Sequence, residues 1–120
     1  MRILPLLTLG LALSGGSAQA QLAQFCNGRI SLVNVTLDPR SVSDERRPWL
    51  YSGSFSNNSG GAINTVLTFA GPAGTISQAN ARQLSMTSGF VTQTPLVQWP
   101  KSMGQPNLNT VAAGVRVDCP

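Results

Sequence analysis

Four carboxylates, one lysine and no histidine are most of what this chain could use for chemistry. The acids are Asp38, Asp44, Glu45 and Asp118. A hydrolase working with two carboxylates needs a pair of them facing each other roughly 5–9 Å apart across a cleft. Asp44 and Glu45 are adjacent, so a strand would turn them to opposite faces, and in a loop their orientation is open. A pairing of either with Asp118 also stays open on sequence alone. Without histidine, neither a Ser-His-Asp nor a Cys-His nucleophile can be built, nor a histidine-based metal site. Lys101 would serve as a Ser-Lys base only if burial lowered its pKa, and its position between Pro100 and Gly104 reads as an exposed loop. A calcium loop wants Asp or Asn at alternate positions, and no such run exists. The sequence therefore names no catalytic and no metal-ligating residue, and it implies no cofactor.

The strongest candidate for ligand contact is Arg46, Arg47 and Trp49. Two guanidiniums beside an indole can clamp a carboxylate, a phosphate or a sugar acid. The competing reading has Asp44 and Glu45 neutralise the arginines locally while Trp49 turns inward to begin a strand, and the local charges favour it. Trp99, Tyr51 and Phe55 are read as packing for the same reason, since a sheet core wants such side chains. The sequons Asn34-Val35-Thr36 and Asn57-Asn58-Ser59 matter only in a host that glycosylates them.

Two features set the compartment. Met1-Arg2, the apolar run 3–13 (ILPLLTLGLAL) and the small polar stretch 14–20 (SGGSAQA) read as a secretory signal peptide over residues 1–20, with Ala18-Gln19-Ala20 as the cleavage site. An apolar run that short spans roughly 16 Å as a helix, about half of a ~30 Å hydrocarbon core. It does not read as an anchor, and Phe25 in front of Cys26 argues against lipid attachment. The mature chain, residues 21–120, is expected to form one domain that does not span a membrane. Arg2 leaves with the leader, so eight basic residues become seven against four acidic ones, a net charge of +3. These are scattered rather than clustered with aromatics, which argues against a nucleic-acid partner. The second feature is Cys26 and Cys119, the only cysteines. In an exported chain they predict a single structural disulfide near the two ends of the mature protein. A redox pair would want close CxxC spacing, and zinc would want further ligands.

The elements that must position these residues read as strands, because apolar positions recur with period two. Val33, Val35 and Leu37 alternate with Asn34, Thr36 and Asp38, and Asp38-Pro39 ends the run before a charged loop at 43–48. Trp49, Tyr51, Gly53 and Phe55 form the inward phase of a second strand. Residues 57–61 (NNSGG) read as a turn. Ile63, Thr65, Leu67 and Phe69 follow, and Val111, Ala113, Val115, Val117 and Cys119 predict a last strand. Between residues 75 and 106 the pattern allows two or three short strands, or one or two helical turns at 78–84. Residues 101–109 read as an exposed loop.

The stretch 51–69 (YSGSFSNNSGGAINTVLTF) resembles the middle of immunoglobulin-like modules of bacterial envelope proteins, of the CARDB and FxLYD type. These have an alternating strand containing Gly, an Asn-rich small-residue turn and a hydrophobic strand. Residues 84–90 (LSMTSGF) could fill the place of the polar stretch and Gly turn that follow. The resemblance implies an antiparallel immunoglobulin-like β-sandwich, here of six or seven strands, and adhesion, assembly or scaffolding roles. It carries over no functional residue, and the terminal disulfide is not part of it. The reading that results is an all-β, secreted or periplasmic, non-enzymatic domain that binds or assembles with an envelope or secreted protein, of open oligomeric state. A fibre-type structural subunit, a small inhibitor acting through an exposed loop and a small hydrolase are its rivals.

Overall fold

The computed structural model describes residues 22–120, so the expected signal peptide, residues 1–20, lies outside the described residues. Among the described residues eight strands form two antiparallel sheets, against the six or seven expected. β1 (Ala23–Phe25), β2 (Ile30–Leu37), β3 (Trp49–Asn57), β7 (Val91–Trp99) and β5 (Ile76–Ser77) lie side by side in that order. The second sheet has the order β6 (Arg82–Met86), β4 (Ile63–Phe69), β8 (Val115–Asp118). The additional strands are short, β1 of three residues and β5 of two, too brief for alternation to reveal. After β3 every connection crosses from one sheet to the other. Each later strand must therefore turn its apolar phase toward the opposite sheet, and both sheets share one core. Ile30, Leu32, Phe55 and Leu96 enter it from the larger sheet, and Leu67, Phe69, Met86 and Val115 from the smaller.

β3 and β4 follow the expected phases. Tyr51, Gly53 and Phe55 are buried, as are Ile63, Thr65, Leu67 and Phe69, while their neighbours face out. Gly53 stands where two leucines converge: a Cβ there would lie 3.0 Å from Leu96 Cδ1 and 3.1 Å from Leu32 Cδ1. β2 departs from expectation at Val33. A bulge between Leu32 and Asn34 inserts one residue and reverses the phase, so Ile30 and Leu32 are buried before it and Val35 after it, with Val33 half-buried.

Four segments differ more. Asp38-Pro39 does not simply end a strand; it opens α1 (Pro39–Ser43), with Asp38 as N-cap accepting from Arg40 N–H and Pro39 at the first helical position. The stretch 78–84 is not helical. A turn over residues 78–81, closed by Arg82 N–H on the Ala79 carbonyl (2.7 Å) and by the buried Ala79, leads into β6, which begins at Arg82. The expected last strand begins only at Val115, because Leu108–Ala113 is a helix, α2. Asn107 caps it by accepting from Thr110 N–H (2.8 Å) and Thr110 Oγ1 (3.0 Å). Gly114 then brings the chain against β4, where a Cβ would meet the Phe69 ring at 2.6 Å. The segment 101–109, expected as an open loop, contains a 3₁₀ turn at Lys101–Met103 and the start of α2.

The Cys26–Cys119 disulfide is formed, with a Cα–Cα distance of 5.9 Å. Cys26 follows β1, in a turn where Cys26, Asn27 and Gly28 all have positive φ (58°, 59° and 85°). The bond ties the β1 edge of one sheet to the β8 edge of the other.

Candidate functional site

The ionisable side chains are held by their own neighbourhood. Asp38 accepts from Arg40 N–H at 3.0 Å and pairs with Arg40 Nη2 at 3.3 Å. The Arg40 side chain, then its backbone N–H, holds the Asp38 carboxyl below the usual carboxylate range. Asp44 accepts from Arg46 N–H at 3.0 Å and pairs with Arg46 Nε at 3.5 Å and Arg47 Nε at 3.6 Å. Such exposed pairs shape a loop but stabilise it little. Ser41 is fully buried and fastens α1 to β3: its hydroxyl donates to the Asp38 carbonyl (2.7 Å) and accepts from Leu50 N–H (3.1 Å).

Lys101 is the residue whose role the sequence concealed. Its Nζ donates to the carbonyls of Ser41 (2.6 Å), Asp44 (2.8 Å) and Val42 (3.3 Å), and lies 5.7 Å from the centroid of the Trp49 ring. The ammonium fills a cup of carbonyls at the end of α1, of which Asp44 O also accepts from Arg47 N–H (3.0 Å). All three contacts use Nζ as donor to backbone carbonyls, so a base role would first require breaking that cup.

This geometry separates the three candidate contact residues. Arg46 and Arg47 line a shallow groove of ≈ 400 Å³ with Glu45, Gln98 and Lys101, and Trp49 is not among its walls. Trp49 is half-buried at the start of β3, its ring beside the Lys101 ammonium. Arg46 and Arg47 remain accessible as a pair, sharing Asp44, without an aromatic platform next to them.

The carboxylates are dispersed as well. Asp38 lines a groove of ≈ 630 Å³ on the outer face of the larger sheet, with Thr36, Ser52, Gln93 and Pro95. Asp118 lines one of ≈ 710 Å³ beside β4, with Asn64, Gln83 and Cys119. None of these grooves holds two acidic residues. Among the described residues no three of His, Cys, Asp or Glu come together as a metal site.

Two further features escaped the sequence reading. The Asn57 amide belongs to no turn surface: it donates to the carbonyls of Gly61 (2.8 Å) and Met86 (2.9 Å) and accepts from Ser59 N–H (2.9 Å), while Asn34 is exposed. The other is a set of buried polar atoms that find no hydrogen-bond partner among the described residues, on the inward side of β3 and β7: Tyr51 OH, Thr94 Oγ1 and Trp99 Nε1. Burial pushes the Tyr51 phenol up, and the nearby Gln105 side chain works the other way. The inward phase of Thr94 was the only available signal, and a bulge opposite Tyr51 and Ser52 obscures it.

No protein-family model, curated protein or solved structure matches this chain. The chemistry of the surface therefore carries the functional reading.

Proposed function

We propose that this protein is an exported, non-enzymatic β-sandwich domain of immunoglobulin-like type that binds or assembles with an envelope or secreted partner. The observation that carries the reading is the state of its reactive groups. Asp38 and Asp44 are occupied by arginines of their own loops, Lys101 by three backbone carbonyls, and the remaining acids line separate grooves. What is left for recognition is an extended polar surface of Ser, Thr, Asn and Gln on the larger sheet, together with the Arg46–Arg47 groove. A disulfide that joins the two sheets suits an oxidising compartment, and among the described residues no helix is long and apolar enough to cross a membrane. The expected signal peptide supports the same location.

The test is gentle purification of the exported protein from its native host. Intact mass should correspond to a start at Gln21, and a stoichiometric partner that stays bound through gel filtration should be identified by mass spectrometry. A hydrolytic activity that disappears in an Asp44→Asn/Glu45→Gln/Asp118→Asn variant would overturn the non-enzymatic reading.

A further inference from the structure

The loop between α1 and β3, residues 44–48, carries two consecutive arginines, Arg46 and Arg47. Their side chains are 92 % and 58 % exposed, and neither residue belongs to a helix or a strand. Exposed loops are where endoproteases enter a folded domain. An endoprotease that reads a basic side chain finds few other openings here. Arg40 lies within α1 and precedes the fully buried Ser41. Arg82 and Arg116 lie in paired strands, opposite Leu67 and Thr68. Arg29 ends the β1–β2 turn, its carbonyl accepts from Asn58 N–H (2.7 Å), and the next residue, Ile30, is fully buried. Lys101 keeps its ammonium in the carbonyl cup. Arg47 is followed by Pro48, and the tertiary amide of an X-Pro bond is a poor substrate for such enzymes. The Arg46–Arg47 bond remains.

That bond is fastened by its own amide. Arg47 N–H donates to the Asp44 carbonyl (3.0 Å), and the same carbonyl accepts from Lys101 Nζ (2.8 Å). Arg46 N–H donates to the Asp44 carboxylate (3.0 Å). A protease binds its substrate extended, so this turn must open before it is cut. The rate of cutting then follows the population of the open form. The opening is local, because α1 is only five residues long and β3 begins at Trp49. Lys101, bonded to the Val42 and Asp44 carbonyls on either side of Ser43, opposes it.

We infer that the Arg46–Arg47 bond is a processing site for an endoprotease of trypsin-like specificity, guarded by Lys101, and that cleavage yields a two-chain protein. Water adds to the Arg46 carbonyl carbon, the C–N bond breaks, and a carboxylate is left on Arg46 and an amine on Arg47. Cys26 precedes the cut and Cys119 follows it, so the disulfide joins the two chains. β2 and β3, on either side of the cut, stay paired from Ile30 opposite Asn57 to Leu37 opposite Tyr51. The new ends fall in the groove lined by Glu45, Arg46 and Arg47. Processing therefore reshapes that surface and leaves both sheets in place. It is independent of the proposed binding role, since the loop and the disulfide are there whether or not a partner exists.

The experiment is brief digestion of the folded, oxidised mature protein with trypsin. Intact mass is read before and after reduction, with circular dichroism as the check on folding. The first product should be heavier by one water while unreduced and should keep the circular dichroism of the fold. On reduction it should separate into a chain ending at Arg46 and a chain beginning at Arg47. Arg46→Gln should stay whole over the time in which the wild type is converted. Folded Lys101→Met should be cut at the same bond about tenfold faster. A first cut at another bond, or breakdown without a two-chain species, would overturn the inference. So would Arg46→Gln or Lys101→Met cut at the wild-type rate, or a wild type that trypsin leaves whole.

Discussion

Removing the Lys101 ammonium is the perturbation that best tests how α1 and the following loop are held. Its two short bonds, to Ser41 O (2.6 Å) and Asp44 O (2.8 Å), are charge-assisted; the one to Val42 O is long at 3.3 Å. Hydrogen bonds to charged groups contribute about 1.5–3 kcal/mol each when buried. Lys101 is only half-buried, so the lower part of that range applies and water recovers some of the loss. Proximity to the Trp49 ring adds about 0.5–1 kcal/mol. Lys101→Met keeps most of the stem and removes the charge and the donors, so unfolding free energy should fall by about 2 kcal/mol. For a domain of this size each kcal/mol moves the melting temperature by about 4–8 °C, giving a fall of roughly 8–15 °C.

The assay is urea unfolding of the oxidised protein followed by tryptophan fluorescence, where the midpoint should fall and the slope stay constant. Lys101→Arg should recover less than half of the loss, because a planar guanidinium cannot aim donors at carbonyls gathered around one point. Hydrogen exchange at Arg47 N–H, which bonds the Asp44 carbonyl at 3.0 Å, should quicken in the methionine variant. A Lys101→Met protein within about 0.5 kcal/mol of wild type would refute the reasoning, since the carbonyl bonds would then merely replace water bonds of equal strength.

Two other expectations follow from the same core. The disulfide spans a sequence separation of 93, for which chain entropy gives about 4.7 kcal/mol; Cys26→Ser/Cys119→Ser should lose about 4–5 kcal/mol in thermal unfolding, and a loss below about 1 kcal/mol would contradict a structural role. Tyr51 is the sole tyrosine, so tyrosinate absorbance reports it alone. Burial raises its pKa above the ordinary value of 10.0. The folded state therefore favours the protonated phenol, and that contribution is complete below pH 10 and lost as pH rises through the folded value. Ionisation should begin above pH 10 and coincide with loss of the circular dichroism of the fold; a titration centred on 10 in a folded protein would contradict the burial argument.

β3 and β4 were legible because their inward residues alternate without interruption and no cap or bulge disturbs them. β2 was legible only in its second half, since the extra residue at Val33 hides Ile30 and Leu32 from a period-two reading. The strand expected from Val111 fails for a different reason. Alanines at 112 and 113 fit either period, and the decisive signal was Asn107 three residues before Thr110, a helix cap rather than a loop. Asp38-Pro39 carried the same kind of signal, and reading it as a strand end overlooked that a proline is also a favoured first helical residue. The Lys101 cup could not be read at all: its acceptors lie 60 and 57 residues away, and carbonyls are not encoded by residue type. For the same reason the clamp of Arg46, Arg47 and Trp49 looked continuous in sequence and is divided in space.

The strand order also makes the two flanks of the molecule unequal. β1 and β8, the edges of the two sheets on one side, are joined covalently through Cys26 and Cys119. On the other side the larger sheet ends in the two residues of β5, which leave the first half of β7 uncovered, and the smaller ends in β6. An approaching strand meets a disulfide and a three-residue β1 at the first flank, and a run of free main-chain groups without charge at the second.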